Sequence, residues 1–175
     1  MRGGERAAVR PLTAGDDLAA ISRIYAESWR TAYRGLIPQS YLDRLRDDAW
    51  LPMLRSRPQD SLILELDGVP VGTACCCAAR EEARRGWGEI VSLYLLPACR
   101  FRGLGSLLLW SAVERLRTQG LERIYLWVLE NNQPARRFYE RQGLSPAGDR
   151  LSSTFDGETV YEVRYQLLEN LRPAR

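Results

Sequence analysis

Apolar residues recur along the chain with two periods, and together they predict helices interleaved with strands. Residues 7–12, Ala-Ala-Val-Arg-Pro-Leu, suit a short first strand. Thr13, with Asp16 three residues on, reads as a capping box opening a helix. Leu18, Ile21, Ile24, Tyr25 and Trp29 then follow at helical spacing, before the breakers Gly35 and Pro38. A second helix is predicted over about Gln39 to Arg55, with Tyr41, Leu42, Leu45, Ala49 and Leu54 on one side. Ser61 to Leu66 and Val69 to Ala79 flank Asp67-Gly68, a hairpin signal. A charged turn, Arg80 to Arg85, leads to Glu89–Leu96, a strand without alternation and so buried on both faces. Leu104, Leu107, Leu108, Ala112 and Leu116 mark an amphipathic helix that Gly120 stops. Ile124 to Leu129 is a wholly apolar strand, Pro134 to Gln142 a short helix ended by Gly143, and Thr159 to Leu167 an alternating last strand. The central strand–helix–strand unit implies a parallel crossover and the hairpin implies antiparallel neighbours. The fold class is therefore α/β (mixed α+β), a mixed sheet flanked by helices.

The 175 residues fit one domain spanning 1–175. Apolar residues at 45% and charged residues at 27% exclude a disordered, collagen-like or fibrous chain. No window has the roughly 18 uninterrupted apolar residues of a membrane helix, and Met1 to Arg10 is polar and basic, unlike a secretory signal. A net charge of +3, with no basic run beyond Arg84-Arg85 or Arg136-Arg137, argues against a nucleic-acid partner. The complete absence of histidine excludes a Ser-His-Asp triad, a Cys-His pair, a His-ligated metal and a histidine base. Cys75, Cys76, Cys77 and Cys99 lack the spacing of a zinc site or a disulfide framework. They are expected to be small apolar residues, partly buried, in a reducing cytoplasm.

Chemistry concentrates in residues 89–106. A buried strand passes through a Leu-Leu-Pro turn into a glycine-bearing loop that opens directly into a helix. The first N–H groups of such a helix have no intrahelical partner and meet the positive end of its dipole, which makes an anion site. Gly103 and Gly105 let a phosphate approach the backbone, and Arg100 and Arg102 add charge. The run has neither the Gly-Lys-Ser/Thr end of a P-loop nor the third glycine of a dinucleotide fingerprint. In isolation it also fits a plain strand-to-helix turn.

Arg100 to Gly105 resembles the R/Q-x-x-G-x-G/A signature of the GNAT superfamily of acyl-CoA N-acyltransferases. A second likeness follows about 25 residues later. Leu126-Trp127-Val128-Leu129-Glu130-Asn131-Asn132, then Ala135, Phe138-Tyr139-Glu140 and Gly143-Leu144, resemble that family's strand, Asn, Ala, Phe-Tyr-Glu and Gly-Phe pattern. Leu144 stands where the family often has phenylalanine, and Pro134 sits in a first helical turn that tolerates it. The likeness is strong over 87–145 and follows element order over 7–167.

The resemblance implies a twisted mixed sheet of about six to seven strands with about four helices and a splayed parallel strand pair. It implies acetyl-CoA as co-substrate, no metal, and acetyl transfer to a primary amine of a small molecule or peptide. Leu93, Tyr94 and Leu95 would offer a strand edge to the pantetheine arm. Arg100, Phe101, Arg102, Gly103, Leu104, Gly105 and Ser106 would cradle the pyrophosphate, mainly through backbone amides. Asn132 matches the asparagine that touches the cofactor arm, and also suits a helix N-cap. Glu89 is expected as general base with a pKa raised by apolar neighbours; otherwise it pairs with an arginine at a strand end. Tyr139 is expected to protonate the departing thiolate; otherwise it is a core tyrosine. On the acceptor side, Tyr25 and Trp29 fit the core stripe, while Tyr33 and Tyr41 are pocket candidates and Glu27 a candidate for attracting a cationic amine. Pairing of two copies through sheet edges or helices stays open. The alternative is a binding module of the same fold that holds acyl-CoA without turnover.

Overall fold

The computed structural model describes residues 5–167. In chain order the elements are β1 (Ala7–Pro11), α1 (Leu18–Ala32), α2 (Gln39–Asp43), α3 (Leu51–Ser56), β2 (Ser61–Leu66), β3 (Val69–Ala78), β4 (Gly88–Leu95), α4 (Leu104–Thr118), β5 (Ile124–Leu129), α5 (Gln133–Arg141), β6 (Ser145–Phe155) and β7 (Glu158–Leu167). The strands form one sheet in the order β1-β2-β3-β4-β5-β7-β6. Every neighbouring pair is antiparallel except β4 and β5, which α4 joins by a crossover. None of the described helices is long and apolar enough to cross a membrane.

Strand alternation divides the core between two faces. Leu62 and Leu64 on β2, with Ala74 and Cys76 on β3, lie under the buried face of α4, which carries Leu108, Leu109, Ala112, Val113 and Leu116. Ile63 points the other way, into a cluster with Ile21, Ile24 and Tyr25 of α1. The hairpin at Asp67-Gly68 turns through two positive φ angles, 50° and 80°, as its sequence foretells. All four cysteines are free and buried.

Two local expectations fail and one strand goes unforeseen, each for an identifiable reason. Thr13 and Asp16 do hydrogen-bond, at 2.7 Å from N–H to Oδ2, but Asp16 is held by Arg10 and the helix is capped one residue later. The cap is Asp17, whose Oδ1 accepts from the N–H groups of Ala19 and Ala20. The helix expected over 39–55 is broken into α2 and α3. Proline is tolerated only in the first turn, so Pro52 makes α3 begin at Leu51. Ser22 Oγ secures the break by donating to the Asp47 carbonyl (2.6 Å) and accepting from the Trp50 N–H (3.2 Å). Finally, β6 has no strong sequence signal. As an edge strand it is mostly exposed, and Gly148 (φ 85°) with a register shift between Pro146 and Arg150 interrupts its period.

Candidate active site

β4 and β5 pair only at Gly88–Ile124 and Glu89–Tyr125. Beyond those residues the two parallel strands separate, so one edge of β4 is left unpaired in mid-sheet. A bulge widens the change: on β3, Cys75 faces Ser92 but Cys76 faces Ile90, so Val91 is the extra residue. After the bulge, Leu93 and Leu95 pack with the α4 side, while Ser92 reaches Tyr25 and Tyr94 reaches Tyr33 on the α1 side. Ser28 of α1 fixes the far end of β4 by donating to the Leu95 carbonyl at 3.0 Å.

The splay opens a cavity of about 760 Å³. It passes through the sheet, bordered on one face by the start of α4 and by α5, and on the other by α1 and the β6–β7 hairpin. Leu93, Tyr94, Leu95, Arg100, Phe101, Gly103, Gly105, Ser106 and Asn132 all line it. The loop before α4 is wound by two positive φ angles, 61° at Phe101 and 78° at Gly103. Gly103 is the residue before α4, and its carbonyl accepts from the N–H groups of Ser106 and Leu107. Among the described residues, no backbone carbonyl or side chain accepts from the N–H groups of Phe101, Arg102, Gly103, Leu104 or Gly105. Five successive unpartnered donors at the positive end of a four-turn helix form an anion cradle. Arg100 adds its guanidinium at the wall, anchored to Thr31 Oγ1 at 3.0 Å.

Two expected contributors stand apart by side chain. Arg102 is not in the cavity wall but ion-paired with Glu5, and the Leu104 side chain belongs to the core. Gly103 is required by conformation and not by space, since nothing lies within 4 Å of a Cβ built there. Gly103→Val is therefore expected to cost about 1–2 kcal/mol, the left-handed penalty for an L-residue. Urea midpoints and acetyl-CoA titrations are expected to fall together; unchanged affinity would show that the loop does not hold the ligand.

Asn132 caps α5, with its Oδ1 accepting from Ala135 N–H at 3.3 Å, and at the same time borders the cavity. Tyr139 lines the cavity from α5, and no described residue hydrogen-bonds its hydroxyl. Burial, with a smaller contribution from Tyr33, raises its pKa above the ordinary phenol value, so the proton is retained. The hydroxyls of Tyr33 and Tyr94 meet at 3.0 Å, and both phenols are likewise pushed up by burial.

Glu89 departs from expectation. It is buried at the closed end of the splay and does not line the cavity. Its carboxylate accepts from Arg80 N–H (3.1 Å), Nε (3.0 Å) and Nη2 (2.6 Å), and from the Tyr125 hydroxyl (3.0 Å). Burial by itself would raise its pKa, but these hydrogen bonds and the arginine charge outweigh it and hold the carboxyl below the ordinary value. The expected raised pKa is reversed. Tyr41 and Glu27 also fall outside the cavity wall: Tyr41 packs edge-on against Phe155, and Glu27 lies on α1 away from the opening. Trp29, expected in the core, instead joins Tyr33 in the wall. Trp127, Phe155 and Glu162 complete that side. Their convergence depends on the pairing of β5 with β7, where Leu129 meets Glu162, and of β6 with β7, which only long-range register determines.

The model of the acetyltransferase (GNAT) family matches residues 18–144. An uncharacterized N-acetyltransferase of Archaeoglobus fulgidus is 35% identical over 132 residues, covering 74% of this chain and 87% of its own. The uncharacterized N-acetyltransferase YuaI of Bacillus subtilis is 31% identical over 127 residues, covering 71% and 73%. The fold is similar to that of yncA from Salmonella typhimurium, solved with its cofactor acetyl-CoA, at a TM-score of 0.71, 22% identity and 96% coverage of both chains.

Proposed function

Because the chain belongs to the acetyltransferase (GNAT) family, we propose that it moves an acetyl group from acetyl-CoA to a primary amine of a small molecule or peptide, by direct attack within a ternary complex. The observation that carries this reading is the row of five unpartnered amides before α4, three of them on residues that line the cavity (Phe101, Gly103 and Gly105), with Tyr139 in the same cavity wall.

In this reading the cradle from Arg100 to Ser106 receives the pyrophosphate. The unpaired edge of β4 offers N–H and C=O groups to the two amides of the pantetheine arm, and Asn132 flanks it. The thioester then lies in the splay, where an amine coming from the α1 side can reach it. The acceptor first gives its ammonium proton to solvent at the mouth of the cavity; the neutral nitrogen then attacks the carbonyl carbon, the C–O π bond becomes an oxyanion, and backbone at the Val91 bulge is the proposed donor to it. As the C–S bond breaks, the Tyr139 phenol supplies the proton that makes CoA a neutral thiol, the oxyanion re-forms the carbonyl, and the proton shed by the nitrogen returns to the phenolate. Holding both reactants in one slot contributes the larger part of the rate. Glu89 is assigned to structure: it ties the Arg80 turn to the closed end of the β4–β5 pair.

The test is to mix the protein with acetyl-CoA and a panel of primary amines and peptides. Release of CoA thiol that depends on the amine, with a matching N-acetyl product by mass spectrometry, is expected. Acetyl-CoA binding without amine-dependent release across the panel would favour a binding module instead.

A further inference from the structure

The acceptor side of the cavity holds a carboxylate that has no counterion among the described residues. Glu162 on β7 lies opposite Leu129 in the sheet and shares the cavity wall with Trp127. Its Oε1 accepts from Ser153 Oγ at 2.9 Å. Among the described residues no arginine pairs with it, although Arg164, two positions on, is committed to Asp149. Nearby carboxylates are otherwise matched: Glu89 with Arg80, Glu130 with Arg150, and Asp156 with Arg44.

Four rings, Trp29, Tyr33, Trp127 and Phe155, stand in the same cavity wall. Trp29 sits 4.8 Å from Tyr33 and 6.2 Å from Phe155, centroid to centroid. A partly buried carboxylate with no counterion beside it among the described residues offers a place for an opposite charge. Aromatic faces attract cations, so the rings in the same cavity wall also favour an ammonium. The Glu162 charge is felt at the Tyr33 phenol, where it adds to burial in raising the pKa, which agrees with the two sharing one pocket.

We propose that Glu162, walled by Trp29, Tyr33, Trp127 and Phe155, is the specificity-determining residue that receives the acceptor's ammonium group. The acceptor class is a primary amine with an apolar body and no carboxylate on the amine-bearing carbon. A free α-amino acid would set its own carboxylate against Glu162; an amine or a peptide N-terminus would not. The assignment rests on the amine-acetylation reading, and its test is read by binding as well as by turnover.

Phenethylamine and phenylalanine carry the same ring and amine and differ by one carboxylate. Titrated into the protein with CoA present and followed by tryptophan fluorescence, phenethylamine is expected to bind at least about tenfold tighter, the worth of one charge-assisted contact. Glu162→Gln keeps an acceptor for Ser153 and removes the charge. It is expected to weaken phenethylamine by about tenfold, erase the discrimination, and leave acetyl-CoA affinity unchanged. Glu162→Asp, which keeps the charge, is expected to retain the discrimination. Equal binding of the two probes by the wild type, or undiminished phenethylamine binding by the Gln variant, overturns the proposal. Phenethylamine that binds as expected, with no amine or peptide of the panel acetylated, overturns the transfer reading and leaves this site standing.

Discussion

Replacing Tyr139 by phenylalanine is expected to lower kcat by about 10²–10³-fold, within the range for losing a positioned acid. The affinity for acetyl-CoA is expected to change little. The substitution removes one hydroxyl that no described residue hydrogen-bonds, so the ring contacts with Phe138 and Tyr165 survive. What is lost is a protonated phenol in the wall of the cavity. Without it the thiolate must leave as an anion in a poorly solvated slot. Stopped-flow or steady-state thiol release, beside calorimetric titration of CoA, separates the two quantities. Parallel losses in both would reduce Tyr139 to a packing residue.

Glu89→Ala carries the other large effect, on stability. It is expected to cost about 3 kcal/mol, because a buried carboxylate with four donors is removed and the Tyr125 hydroxyl, in a fully buried residue, loses its partner. Arg80 is half-exposed and recovers water, which keeps the cost at the lower end for a broken buried pair. The sign of the pH dependence follows. The folded carboxyl titrates below its unfolded value of roughly 4.3, so its stabilisation is complete above that pH and is lost as pH falls through the folded value. Urea midpoints across the acid range, wild type against variant, read this directly. Glu89→Gln with a wild-type midpoint but a 100-fold lower kcat, the scale of a lost base, would restore the catalytic role.

The part of the cavity wall built by β4, the loop before α4 and α5 was legible because it is local. Strand, turn, glycine loop and helix succeed one another within residues 89–106, and Asn132 and Tyr139 follow on one strand–helix unit. Short-range geometry determines where their backbone points. The wall on the α1 and β7 side was not legible. Glu27 and Glu162 are both acidic residues on amphipathic segments, and only the β5–β7 register turns Glu162 to the cavity. Trp29 follows the apolar stripe of α1, yet it faces the place where the sheet parts. Of the two readings of Glu89, the arginine pairing holds and the raised pKa does not: its apolar sequence neighbours suggested the latter, whereas Arg80 arrives from the far end of a turn. β6 escaped notice because an exposed edge strand has no apolar face to announce it.

The run Cys75-Cys76-Cys77 crosses the middle of the sheet, all three side chains buried, with burial pushing Cys75 up to about 12 and Cys76 up to about 11. At neutral pH these are inert thiols, since only the thiolate attacks electrophiles. A chromogenic disulfide reagent used to follow CoA thus meets no background from these three thiols in the native protein. The same reagent turns into a gauge of opening at the sheet's centre, for each cysteine becomes countable only when the strands around it come apart.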